Sequence, residues 1–84
     1  MSDTYHLEAL GFDVGGRSAP VLQRQTLRSD SFDTVRARAV RLLQRSRTPQ
    51  WTGGRIEAVR VTDGSGAELF RWSLWDELGG AGRG

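Results

Sequence analysis

The chain has 84 residues, of which 37 % are hydrophobic and 26 % charged, with a net charge of +2 at pH 7 and no cysteine. That length suits one domain, and a domain so small buries only about 60–65 % of the surface its unfolded chain would expose, which leaves little depth for an enclosed active site. Without cysteine there are no disulfides, thiolate zinc sites, iron–sulfur clusters or cysteine nucleophiles, and the single histidine, His6, excludes a multi-histidine metal site.

The first residues, Met1-Ser2-Asp3-Thr4-Tyr5-His6, lack the basic stretch and apolar run of a signal peptide. No apolar run approaches the ~20 residues of a membrane span, so a cytoplasmic protein without a membrane partner is expected. Every basic side chain is arginine. The cations cluster: residues 17–60 hold ten arginines against Asp30, Asp33 and Glu57, while both ends of the chain are net acidic.

Thr4 to Leu10 reads as a strand, because Tyr5, Leu7 and Ala9 alternate with His6 and Glu8. Gly11 and the pair Gly15-Gly16 mark a turn or loop. Val21 to Leu27 reads as a second strand, and Pro20 at its start, which cannot donate a ladder hydrogen bond, suits a sheet edge. Ser29-Asp30-Ser31 then supplies N-cap candidates for a helix, and Asp33 complements the positive end of its dipole. Phe32, Val35, Ala39, Leu42 and Leu43 follow the spacing of one buried face, and Pro49 stops the helix by about Arg47.

A hairpin follows, with Arg55–Thr62 and Ala67–Trp75 flanking the turn Asp63-Gly64-Ser65-Gly66. In the simplest register Val59 faces Phe70 and Glu57 faces Trp72. Val59, Val61, Phe70, Trp72 and Leu74 then share one face, against the helix, while Arg60, Leu69, Arg71 and Ser73 share the other. Residues 79–84 are glycine-rich and read as a disordered tail after a single domain over 1–78. The expected fold is therefore α+β: a small antiparallel sheet in the order β-β-α-β-β with one helix across one face, the other face polar or paired with something else.

The run Leu27-Arg28-Ser29-Asp30-Ser31-Phe32-Asp33-Thr34-Val35-Arg36-Ala37-Arg38-Ala39, with Val59-Arg60-Val61-Thr62-Asp63-Gly64-Ser65-Gly66-Ala67-Glu68-Leu69, resembles a family of short uncharacterised bacterial proteins. The resemblance spans about two-thirds of the chain and rests on turn and helix chemistry. It implies the same strand pair, helix and closing hairpin, and carries no activity. The long first loop and the tryptophan-rich last segment depart from the family.

No catalytic, metal or cofactor site is expected. His6 sits on a strand with no partner motif, the glycine pairs 15–16 and 53–54 lack phosphate-loop spacing, and Asp76-Glu77 reads as solvated. Two basic surfaces are candidates for binding instead. Arg38, Arg41 and Arg45 recur at i, i+3, i+7 on the helix, flanked by Arg36 and Arg47. Such a stripe is the ordinary solvated side of a surface helix, yet like charges at this spacing repel with no interspersed glutamate to relieve them. Arg60 and Arg71, with Arg24, form the second candidate on the uncovered sheet face. Trp51 and Trp75 are candidate stacking platforms beside it, or else plugs at the ends of the core. The composite expectation is a non-enzymatic interaction module for an acidic macromolecule, such as a small bacterial or phage-borne inhibitor or adaptor, with homodimerisation through a sheet edge. Nucleic-acid binding is the alternative.

Overall fold

The structure, a computed structural model, describes residues 2–12 and 20–80. Along the chain run β1 (Asp3–Leu10), β2 (Val21–Ser29), α1 (Phe32–Arg45), β3 (Ala58–Asp63), β4 (Glu68–Ser73) and α2 (Leu74–Gly80). The four strands form one antiparallel sheet in the order β2-β1-β3-β4. This is the α+β arrangement expected from the sequence, with β2 at an edge, and with a second short helix that the sequence reading does not contain. The Gly15-Gly16 turn and residues 81–84 of the expected tail lie outside the described residues, while Gly79 and Gly80 fall within α2.

Alternation along β1 sends Tyr5, Leu7 and Ala9 to the helix side, where they meet Val35, Ala39 and Leu43 of α1, Val59 and Val61 of β3, and Ile56. Ala9 and Ala39 are wholly buried, so small side chains let helix and sheet approach closely. Leu7, Leu43, Val35, Val59 and Val61 are the largest fully buried side chains, and burying each contributes roughly 1.5–3 kcal/mol. Phe32, at the start of α1, sets its ring 6.1 Å from that of Tyr5 in a tilted pair. The helix starts on Ser31, whose hydroxyl accepts from the Thr34 amide at 3.4 Å. It stops at Arg45, and Ser46 caps it by donating its hydroxyl to the Leu43 carbonyl at 2.6 Å.

The hairpin register is a correction. Val59 pairs with Trp72 and Val61 with Phe70, two residues away from the simplest alignment. One step comes from the turn, where Asp63 rather than Thr62 pairs with Ala67, its amide donating to the Ala67 carbonyl at 3.0 Å. The other comes from an irregularity at Leu69, since Thr62 pairs with Glu68 but Val61 with Phe70. Two single-residue steps restore the parity, so Val59, Val61, Phe70 and Trp72 still face the helix. Leu69 is left 45 % exposed at the irregularity.

Gly66 takes a φ of 93° in this turn, a conformation open chiefly to glycine. The Asp63 carboxylate accepts from the Ser65 amide (2.9 Å), the Ser65 hydroxyl (2.7 Å) and the Ala67 amide (2.9 Å). The Ser65 hydroxyl first, then the Ala67 amide, hold this carboxyl below its ordinary value of 3.8. A depressed carboxyl stabilises the fold fully above that ordinary value and stops doing so as pH falls through its folded value. The stability difference between the native chain and Asp63→Asn is therefore expected to be constant near neutrality and to shrink on acidification below about pH 4. Thermal melts of both proteins across that range check it; a difference that grows with acid would be contrary.

The last strand is shorter than expected, and Leu74 and Trp75 belong to α2 instead. Ser73-Leu74-Trp75-Asp76 forms a capping box: the Ser73 amide donates to Asp76 Oδ2 at 2.8 Å, and the Asp76 amide donates to Ser73 Oγ at 3.2 Å. Glu77 then accepts from the Trp72 indole at 2.9 Å and pairs with Arg47 at 3.7 Å, which ties α2 to the end of α1. Asp76 and Glu77, expected to be solvated, both have structural partners.

Candidate functional site

Helical periodicity turns Val35, Ala39 and Leu43 into the core and leaves Arg38, Arg41 and Arg45 exposed along one flank. That flank overlooks β2. The helix-side positions of β2 opposite Ala9 and Leu7 are Gln23 and Gln25, which offer no apolar surface for the helix to cover. An open groove of about 650 Å³ remains between α1 and β2, with Arg38, Arg41 and Arg45 on its helix wall, Gln25 on its strand wall and Leu7 and Leu42 below. The structure thus brings the three stripe arginines to one groove. None of them makes an ion pair with a carboxylate among the described residues. The flanking arginines differ: Arg36 pairs with Asp33 at 3.3 Å and Arg47 with Glu77.

The second candidate surface lies on the opposite face of the sheet, away from α1. Pairing aligns Arg24, Glu8, Arg60 and Arg71 in one row across β2, β1, β3 and β4. Glu8 is 8 % exposed. Arg60 donates to its Oε1 through Nε at 2.7 Å and through Nη2, and Arg24 approaches Oε2 at 3.4 Å. Glu68 completes the row, 3.3 Å from Arg71 and 3.9 Å from Arg60. Arg60 and Arg71 therefore belong to an internally compensated lattice rather than to an open basic patch. Beside it His6 Nδ1 lies 3.2 Å from the Thr26 hydroxyl. The sequence reading passed over Glu8 and Glu68. The alternation of β1 already placed Glu8 on this face, whereas its position between two arginines depends on pairings 16 and 52 residues apart along the chain.

The two candidate tryptophans are placed differently. Trp51 is half-buried against the core, and its indole donates to the Gly54 carbonyl at 3.0 Å. The ring lies so close over Gly53 that a Cβ there would stand 2.7 Å from Cζ2, which is why glycine occupies that position. Trp75 is 61 % exposed on α2 and lines neither flank of α1. A shallower groove of about 390 Å³ on the other flank runs between α1 and β4, floored by Val40, Phe70 and Trp72 and edged by Arg36 and Arg41.

Among the described residues no three His, Asp or Glu side chains converge as metal ligands, and no helix is long and apolar enough to cross a membrane. The chemistry on offer at the α1–β2 groove is that of three guanidinium groups with fifteen N–H donors between them, suited to carboxylates or phosphates in an open, half-apolar cleft. Comparison with family models, with curated proteins and with solved structures finds no match to this chain.

Proposed function

We propose that the chain is a non-enzymatic interaction module that binds an acidic protein through the groove between α1 and β2. The observation that carries this reading is the convergence of Arg38, Arg41 and Arg45 on one open groove, where the lining carboxylate, Asp33, pairs with Arg36 rather than with any of the three. Among the described residues Arg24 and Arg60 are partnered by Glu8, Arg71 by Glu68, Arg36 by Asp33 and Arg47 by Glu77, while Arg28 and Arg55 are exposed without an ion pair but do not line this groove. Leaving three like charges side by side on a helix costs stability, and an external anion removes that cost. The alternative, nucleic-acid binding, would use the same helix stripe together with the sheet-face arginines Arg60 and Arg71. With Arg60 and Arg71 engaged by carboxylates, the stripe alone is left for phosphate, and the acidic protein is the better-supported partner.

The test uses a fluorescent oligoglutamate peptide and oligonucleotides of equal charge, single-stranded and duplex, titrated at low and moderate salt. The peptide is expected to bind, and the triple substitution R38E/R41E/R45E to weaken it by at least about 1000-fold, since the three charge-assisted hydrogen bonds lost contribute roughly 1.5–3 kcal/mol each. Peptide binding untouched by the triple variant would sink the reading. Tighter binding of the oligonucleotides, with a steep salt dependence, would favour phosphate as the ligand.

A further inference from the structure

Building on the acidic-partner reading, we infer that the ligand binds as an extended strand added to the free edge of β2, presenting carboxylates at alternate positions to Arg38, Arg41 and Arg45. β2 is the longest strand and lies at the end of the sheet, hydrogen-bonded to β1 on one side only. From Gln23 to Ser29 its pairing with β1 is regular, and the register shifts only beyond Gln23, between Ala9 and Leu10. Alternate residues of this seven-residue stretch therefore turn their backbone donors and acceptors away from β1, a regular row with no strand partner among the described residues. This stretch has no proline, and its helix-side residues are Gln23, Gln25 and Leu27; its charges, Arg24 and Arg28, lie on the other face and are of the sign that an acidic newcomer tolerates.

The groove fits what an added strand would bring. A strand joining β2 would lie about 4.8 Å beyond it and send alternate side chains to the helix side, beneath the groove's arginine wall. Arg38 to Arg45 spans about 10 Å of helix axis, while alternate residues of a strand are about 6.8 Å apart. Two or three carboxylates at i, i+2 and i+4 match that span. The backbone ladder would supply affinity, and the arginines would select acidic sequences and fix the register.

Charge also argues against a second copy of this chain as the occupant. β2 contains no acidic residue. If its regular stretch paired antiparallel with itself about Thr26, Arg24 would stand opposite Arg28 of the second copy, twice, and like charges directly opposite are destabilising. The other edge is a poorer platform. β4 is six residues long, irregular at Leu69, carries Glu68 and runs straight into α2.

Four peptides of about eight residues test the inference, each labelled for fluorescence anisotropy. One alternates glutamate with threonine, and a second has the same composition with the glutamates contiguous. Two more copy the alternating sequence but are N-methylated at odd or at even positions, which removes the amide donors from one edge of the strand at a time. The alternating peptide is expected to bind about tenfold tighter than the contiguous one. One methylated form should lose about 100-fold and the other stay within about threefold, because only one edge of an added strand meets β2. If both methylated forms and the contiguous peptide bind like the alternating one, yet R38E/R41E/R45E abolishes all four, the acidic groove stands and strand addition is overturned. If none of the four binds, strand addition and the acidic-partner reading fall together, whereas oligoglutamate binding without any edge effect removes only the former. The methylation sits in the ligand, so the folding of the protein does not enter the comparison.

Discussion

Leu43→Ala should remove about 3 kcal/mol of stability, within the range measured for deleting a buried leucine side chain. Leu43 is completely buried between α1 and the sheet, and its neighbours Ala39, Val35, Val59 and Leu7 are held by the helix and the two central strands. Such a site collapses poorly when emptied, because both walls are regular elements. A domain of this size has a total stability of roughly 4–12 kcal/mol, so the loss is a large share of it. Each 1 kcal/mol shifts the melting midpoint of a small domain by about 4–8 °C, which puts the expected fall at about 12–24 °C. Urea titration with an unchanged slope would assign the effect to stability rather than to a different unfolded state. Leu43→Met, which keeps the volume, should cost under about 1.5 kcal/mol. If the alanine variant loses less than about 1 kcal/mol, helix α1 is not seated on the sheet at this residue.

Glu8→Ala should be the second most damaging of these substitutions, by about 2–3 kcal/mol. Breaking a fully buried pair costs about 3–5 kcal/mol, and Arg60 retains a side-chain exposure of 28 %, which lowers the figure. Without Glu8 the sheet row reads Arg24, alanine, Arg60, Arg71, and only Glu68 remains to offset three cations. The damage should be undone by removing the cause: in Glu8→Leu/Arg60→Leu the desolvated ions are gone, and the double variant should sit well above the sum of its singles. A double-mutant cycle on chemical denaturation measures this, with a coupling of about 1–3 kcal/mol expected. Additive losses would mean that the lattice on this face contributes nothing as a pair.

Much of the architecture could be read from spacing alone. Period-2 alternation gave β1, the Ser31 cap and the i, i+3, i+4 pattern gave α1, and Pro20 pointed to β2 as an edge. The failures share a physical origin in features that add or redirect single residues. The Leu69 irregularity has no signature of its own, and together with the one-residue step at the turn it moved the hairpin register without changing its faces. α2 was legible but missed: Ser73-Leu74-Trp75-Asp76 has the spacing of a capping box, and the aromatic richness of that stretch drew it into the strand.

The two candidate surfaces divide along the same line. Arg38, Arg41 and Arg45 lie on one helix, so local periodicity suffices to bring them together. Arg60 and Arg71 needed Glu8, Arg24 and Glu68 to be understood, and the five residues come from four strands whose register no local pattern sets. A basic patch inferred from strand parity counts cations and cannot see the carboxylate that a distant strand lays between them. Gln25 tells the same story from the other side. It is a polar residue on a core-facing position of β2, and in the fold it lines the open groove.

The strand order also governs how the chain reaches this state. Both hairpins close over short distances, but the centre of the sheet joins Tyr5–Leu10 to Ala58–Asp63. An isolated hairpin or a lone fourteen-residue helix is marginal in water, so neither half has a refuge of partial order. Folding therefore waits on one long-range closure, which costs roughly 2 kcal/mol of chain entropy beyond a local turn before any central contact offsets it. Non-local topology of this kind slows folding and makes it all-or-none. Severing the backbone between Gly53 and Gly54 would leave one hairpin on each fragment and turn that closure into an encounter between two molecules, so that the folded fraction would come to depend on concentration.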